Sequence, residues 1–331
     1  MDWTFIFQQS ISSAVGVNAI IFALAAIGLN MHFGYTGLLN FGQAGFLAVG
    51  AYTVAVLVVN FDVSVWIAFL AGIFAAILLA LLLGVPTLRL RADYLAIVTI
   101  ATAEIIRQVA RSVTLREYFG GSDGITGKFG ADFFAINPFP AGLDLPLLRY
   151  TPNDLWVVVV GWGLVVIFVF FTYLMMRSPW GRVIKAIRED EEAVRSLGKN
   201  VYLYKMQSLV LGGVVGAFAG FVYAISRQSV QPDNYSTALT FFAYAVLILG
   251  GAARVLGPVV GAVIFWFLLV FIEQTLRGLV NIDKIPDWLM NQNQVGQVRF
   301  MLVGLGLMLL MIYRPQGIFG DKKELALDAR A

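Results

Sequence analysis

Apolar residues along this chain come in long runs separated by short polar stretches. A helix advances about 1.5 Å per residue, so about 20 apolar residues cross a hydrocarbon layer of about 30 Å. Nine runs are candidates: about 11–29, 44–59, 63–84, 94–112, 154–176, 205–225, 237–253, 258–276 and 297–313. Backbone polar groups inside lipid must be paired within the chain, so these runs predict helices. The second and seventh are short and glycine-rich, and are expected to be broken or re-entrant. The predicted architecture is all-α: one polytopic transmembrane helical bundle of about eight to ten spans over residues 1–320, with a polar tail at 321–331.

One stretch follows a different rule. "SPWGRVIKAIREDEEAVRSLGKN" (178–200) alternates apolar and charged residues at helical spacing. Pro179 suits a helix start, and Gly198 with Asn200 supplies a stop. Val183, Ile187, Val194 and Leu197 fall near one face, and Glu191 and Arg195 form a favourable i,i+4 pair. The pattern predicts one amphipathic helix, about 179–198, lying outside the membrane. It either rests at the lipid interface or docks on a soluble partner.

Composition strengthens the membrane reading. Hydrophobic residues make up 59% of the chain and charged residues 13%. Counted with glycine and without tyrosine, the apolar share is roughly 65%, against about 45–50% in soluble chains. There is no cysteine, and His32 is the only histidine, which excludes thiolate nucleophiles and multi-histidine zinc sites. His32 is expected as a surface or capping residue near the inner end of the first span. No cofactor and no metal is expected. Residues 1–10 carry no Lys or Arg, so they are not expected to form a cleaved signal.

The net charge of +3 leaves no nucleic-acid footprint. The basic residues mark topology instead. The loop 177–205 carries Arg177, Arg182, Lys185, Arg188, Arg195, Lys199 and Lys205 and is placed inside. Alternation then puts Arg89, Arg91, Arg254, Arg314, Lys322, Lys323 and Arg330 inside as well. The N-terminus is expected outside, the C-terminus in the cytoplasm, and 113–153 as a long external loop.

Glycines interrupt two regions. Gly28, Gly34, Gly37, Gly42 and Gly45 lie around the first two spans; Gly250, Gly251, Gly257, Pro258 and Gly261 lie late in the chain. Broken helices inside a membrane leave backbone N–H and C=O groups available to a bound solute; the same glycines also permit close helix packing. Asn40, Gly42, Gln43, Gly250 and Gly251 are therefore candidates for a substrate path. Glu104 joins them as the acid well inside a span, where it either meets substrate or pairs with Arg107. For Gly212, Gly216 and Gly220, packing is the expected role. The segment 39–51 faintly echoes 247–262. "GGSDGITGK" (120–128) lacks the Walker glycine, since position 122 is Ser, and Phe129 follows Lys128, so it is no ATP site.

Glu192-Ala193-Val194, followed three residues later by Gly198, resembles the EAA-x-x-x-G signature of ABC importer permeases, where this loop is the coupling helix. "TGLLNFGQAGFLAVGAY" (36–52), "DYLAIVTIATAEIIR" (93–107), "GGSDGITG" (120–127), "GGAARVLGPVVGA" (250–262) and "YRPQGIFG" (313–320) extend the likeness along nearly the whole chain. Together they resemble the LivM-type permease of branched-chain amino acid ABC importers. Gln43 stands where many relatives are expected to carry histidine, and the triplet ends in Val194 instead of alanine. The resemblance implies an ABC importer permease fold in the cell (plasma or inner) membrane, bathed in membrane lipid, with no chemistry on the substrate. It implies a second, LivH-type permease, two ATP-binding subunits that hydrolyse ATP, and an extracytoplasmic substrate-binding protein. The substrates it implies are leucine, isoleucine and valine. A urea permease and a proton-coupled carrier using Glu104 are the competing readings.

Overall fold

The computed structural model describes residues 2–89, 92–127, 129–144, 148–282 and 291–320. The tail expected at 321–331, with Lys322, Lys323 and Arg330, lies outside the described residues, as do Arg91 and Lys128. The chain runs α1 (Trp3–Val15), α2 (Val17–Leu29), a π-helical turn (Asn30–Tyr35), α3 (Gln43–Phe61), α4 (Val65–Thr87) and α5 (Ala92–Arg111). Next come α6 (Arg116–Phe119), strand β1 (Ile125–Thr126), α7 (Ala131–Ala135), β2 (Leu143–Asp144) and β3 (Arg149–Tyr150). Then follow α8 (Pro152–Arg177), α9 (Pro179–Glu189), α10 (Glu191–Ser196), α11 (Val201–Arg227), β4 (Ser229–Val230), α12 (Thr237–Gly250), α13 (Gly257–Asn281) and α14 (Val295–Tyr313).

Seven helical stretches among the described residues are long and apolar enough to cross a membrane: α1 to the π-turn taken together, α3, α4, α8, α11, α13 and α14. Helix α5 has 20 residues, but Glu104, Arg107 and Arg111 lower its hydropathy. Helix α12 is apolar with 14 residues, about 21 Å at 1.5 Å each, short of a layer of about 30 Å. Every predicted run is thus helical.

Three boundaries differ from expectation. The first helix begins at Trp3, because Asp2 caps it by accepting the N–H of Phe5 at 3.2 Å. Gln8, Gln9, Ser10, Ser12 and Ser13 hid its apolar face from a hydropathy reading; Ser10 is satisfied by donating to the carbonyl of Ile6 at 2.7 Å. Extended backbone at Gly16 then separates α1 from α2. The second run, expected to be broken, is an unbroken helix of 19 residues. The expected single helix at 179–198 is two helices, because Asp190 is extended and caps α10 by accepting the N–H of Ala193 at 2.9 Å.

Helix α2 forms the centre. It packs against α8, α11, α12 and α13, and Ala23, Ala25, Ala26 and Gly28 on it are all buried. Small residues on both sides let α2, α3 and α11 approach closely. A Cβ on Gly212 would lie 2.5 Å from the Gly28 carbonyl, and one on Gly216 would lie 2.6 Å from the Gln43 amide nitrogen. At the end of the bundle carrying 112–151, β1 pairs antiparallel with β4, with Ile125 opposite Val230, and so ties that loop to the α11–α12 connection.

Candidate functional site

After α2 the chain leaves regular helix while still inside the bundle. The π-turn ends at Tyr35, Gly37 adopts a φ of 73°, and residues 37–42 are irregular until α3 begins. Irregular backbone in such a place needs protein partners for its polar groups. They come from three helices. Thr36 and Ser208 hydroxyls both donate to the carbonyl of Met31, at 2.7 and 2.9 Å. Thr99 on α5 accepts the N–H of Phe41 at 3.1 Å, and Thr240 on α12 accepts that of Ala44 at 2.9 Å. The hydroxyl of Tyr244 donates to the carbonyl of Asn40 at 2.9 Å.

Asn40, Gly42 and Gln43 meet here. The Asn40 amide donates to His32 Nδ1 at 2.9 Å and to Gln43 Oε1 at 3.3 Å, and its Oδ1 accepts the N–H of Gly42 at 2.9 Å. Gln43 donates to the carbonyl of Gly212 at 3.3 Å. His32 is not a surface or capping residue: it is fully buried, with Nε2 3.1 Å from the carbonyl of Leu209. These partners assign the proton to Nε2, since Nδ1 accepts. The packing partner is 177 residues away, which is why a lone histidine could not be placed from sequence. In this arrangement the polar groups of Asn40 and Gln43 face the chain itself.

Gly250 and Gly251 lie at the far end of α12. Gly251 has a φ of 107°, and Gly250 is hemmed in by the Gly257 and Gly261 backbone. The terminal carbonyls of α12 are met by the "YRPQGIFG" segment: Ile318 N–H donates to Leu249 at 3.0 Å and Phe319 N–H to Gly250 at 3.2 Å. Asn30 holds the following turn, accepting from Ala253 N–H and donating to the Arg254 carbonyl.

Glu104 stands apart from both groups, on α5. Arg107 grips it with Nε at 2.9 Å and Nη2 at 2.6 Å, and Gln108 donates to it at 2.8 Å. Arg107 also reaches Asp233, at 2.7 Å. The pair therefore fastens α5 to the α11–α12 connection. The Glu104 side chain remains 40% exposed, and with Ile97, Ile105 and Gln108 it forms a mixed polar and apolar face. By contrast, α4 and α8 expose apolar faces such as Leu70, Phe74 and Leu78, or Val166, Ile167 and Phe170.

The amphipathic pair α9–α10 presents the EAA-like residues unevenly. Val194 is buried against Ile187 and Val201, while Glu192, Ala193 and Gly198 are exposed. Leu197, expected on the buried face, is 79% exposed, because the break at Asp190 turns α10 away from the register of α9; Ile184 takes an inward place instead. Glu191 pairs with Arg195 at 2.9 Å and also with Lys205. Gly198 has a φ of 76° with open space beside it, as a helix-terminating glycine requires. Arg188, which sequence reasoning counted only as a topology charge, donates to the carbonyl of Gly34 in the π-turn at 2.6 Å.

The family model described as branched-chain amino acid transport system / permease component matches residues 12–313. The high-affinity branched-chain amino acid transport system permease protein LivM of Salmonella typhimurium is 33% identical over 328 residues, covering 96% of this chain and 71% of that protein. LivM of Escherichia coli is 32% identical with the same coverage. The autoinducer 2 import system permease protein LsrC of Salmonella typhimurium is 29% identical over 257 residues, 73% of this chain and 69% of that protein. Among solved structures, PsaBC from Streptococcus pneumoniae in complex with Fab aligns with a TM-score of 0.43 and 16% identity, covering 93% of this chain and 92% of that chain.

Proposed function

This chain belongs to the branched-chain amino acid transport system permease family, and on that premise we propose that it moves leucine, isoleucine and valine inward across the membrane. It is an ABC transporter permease component and a multi-pass inner-membrane protein, not a catalytic enzyme; the ATPase activity of such transporters belongs to separate subunits. The observation that carries the substrate reading is 33% identity to a branched-chain amino acid permease over 96% of the chain.

The proposed assembly adds a LivH-type permease, two ATP-binding subunits and a substrate-binding protein on the outer side. The N-terminus and the 113–153 loop are outside; α9–α10 and the C-terminus are cytoplasmic. Residues 1–320 act as one permease domain. Glu192, Ala193, Val194 and Gly198 form the docking element. Within it Val194 anchors the helix from below, and the exposed three with Leu197 meet the ATP-binding subunit. Arg188 passes its movement to the π-turn at Gly34. Asn40, Gly42, Gln43, Gly250 and Gly251 act as the pliable joints of the path. The path itself runs along the mixed face of α5 that carries Glu104, opposite the second permease. An aliphatic side chain suits Ile97 and Ile105, and an ammonium group would approach the exposed edge of the Glu104 carboxylate alongside Arg107 and Gln108. Because Glu104 is already held by Arg107 and Gln108, a proton-relay role has no support from its geometry.

The test is radiolabelled uptake by the reconstituted complex with its own binding protein, with and without ATP. ATP-dependent leucine uptake is expected. ATP-dependent urea uptake without leucine uptake would move the chain to the urea branch, and leucine uptake driven by a proton gradient alone would restore the carrier reading.

A further inference from the structure

Beside the end of α8 the bundle has an open groove of about 700 Å³. Val166, Val169 and Phe170 on α8, with Val255 and Leu256 of the α12–α13 connection, form its apolar walls. Arg177, Lys185 and Arg254 also line it, and no lining residue is acidic. Arg177 on α8 and Lys185 on α9 thus line one apolar channel.

The charges are placed, not loose. The Arg177 guanidinium lies over the Tyr173 ring, 4.2 Å from its centroid, and Lys185 Nζ lies 5.9 Å from that of Tyr35. The Arg254 backbone is held by Asn30. Among the described residues no carboxylate pairs with Arg177 or Lys185. Basic pockets between spans on the cytoplasmic side attract anionic headgroups, and Arg suits phosphate geometry. The apolar walls continue along the lipid-facing side of α8, where Ile167 and Phe171 are exposed. A water-soluble anion would leave those walls uncovered; an acyl chain covers them.

We propose that this groove binds an anionic phospholipid, its phosphate held by Arg177 and Lys185 and an acyl chain laid along Val166, Val169 and Phe170. The lipid would join α8, the helix α9 that precedes the docking element, and the turn clamped by Asn30. The proposal rests on the orientation given above, which puts this end in the cytoplasmic leaflet; lipid binding and sidedness are read by separate experiments.

The experiment is native mass spectrometry of the purified transporter complex, supplied with phosphatidylglycerol or phosphatidylcholine of identical acyl chains. The complex should retain phosphatidylglycerol preferentially. Arg177→Gln with Lys185→Gln should lower that retention about 25-fold, a factor of about five for each basic side chain lost. Arg195→Gln, outside the groove, should leave it unchanged. Val169→Trp fills the apolar wall without altering charge and should also weaken retention, which covers the case of a double variant that fails to assemble. Equal retention of both lipids, or wild-type retention by the double variant, would overturn the proposal. Displacement of phosphatidylglycerol by inorganic phosphate alone would overturn it too, in favour of a free-anion site.

Discussion

Asn30 donates to the carbonyl of Arg254 at 2.8 Å, across 224 residues of sequence. Its amide oxygen accepts the N–H of the neighbouring Ala253, also at 2.8 Å. Ala253 has a φ of 58°, a left-handed conformation that few non-glycine residues adopt. One buried side chain therefore holds a strained turn against the π-turn. Asn30→Leu would leave two part-buried backbone groups without these partners, at about 1 kcal/mol each. Thermal unfolding of the purified complex should show a clear loss of stability. Ala253→Gly removes the backbone strain and should not lower it; unchanged melting of Asn30→Leu would mean the clamp is dispensable.

The glycines of the bundle should divide by what surrounds them. Gly212→Ala drives a Cβ toward the Gly28 carbonyl, 2.5 Å away, and into the His32 ring, so α2 and α11 must separate. Gly304→Ala on α14 meets nothing within 4 Å, and alanine favours a helix over glycine by about 1 kcal/mol. The first variant should melt well below the parent and the second at or above it. Equal behaviour would contradict the close α2–α11 crossing.

The spans were legible in sequence because a bilayer demands long apolar runs and little else. The packing row at Gly212, Gly216 and Gly220 was legible because small residues four apart fall on one helix face. The break at Asp190 was not, because Glu191, Glu192 and Arg195 continue a plausible helical charge pattern through it. The buried knot of His32, Asn40 and Gln43 depends on Leu209 and Gly212, far along the chain, so no local signal points to it. The link from Arg188 to Gly34 was hidden for a further reason: an arginine in a loop rich in basic residues already has a sufficient explanation as a topology signal.

Orientation has a clean test, since the chain has no cysteine. Ser122 and Ser196 are both exposed. Single cysteines at these positions should react with an impermeant maleimide from outside and inside respectively. The reverse pattern would move α9–α10 out of reach of any cytoplasmic ATPase.

Gly198 and Glu192 test the docking surface. Gly198→Asp forces a side chain onto a residue with a φ of 76° and projects a charge into open space. Glu192→Lys reverses charge on the exposed side of α10. Both should lower substrate-stimulated ATP hydrolysis of the assembled complex without lowering the yield of the membrane subunit. Normal stimulation in both would leave α10 as a solvated loop helix.

The link from docking helix to transport path is tested most directly at Arg188, by comparing leucine uptake with ATP hydrolysis in the same reconstituted complex. Arg188→Ala removes a charge-assisted hydrogen bond to the Gly34 carbonyl, worth about 1.5–3 kcal/mol, which corresponds to about tenfold or more. Uptake should fall by about that factor while basal ATP hydrolysis continues. Uptake and hydrolysis both at parental levels would contradict transmission through Arg188 and Gly34.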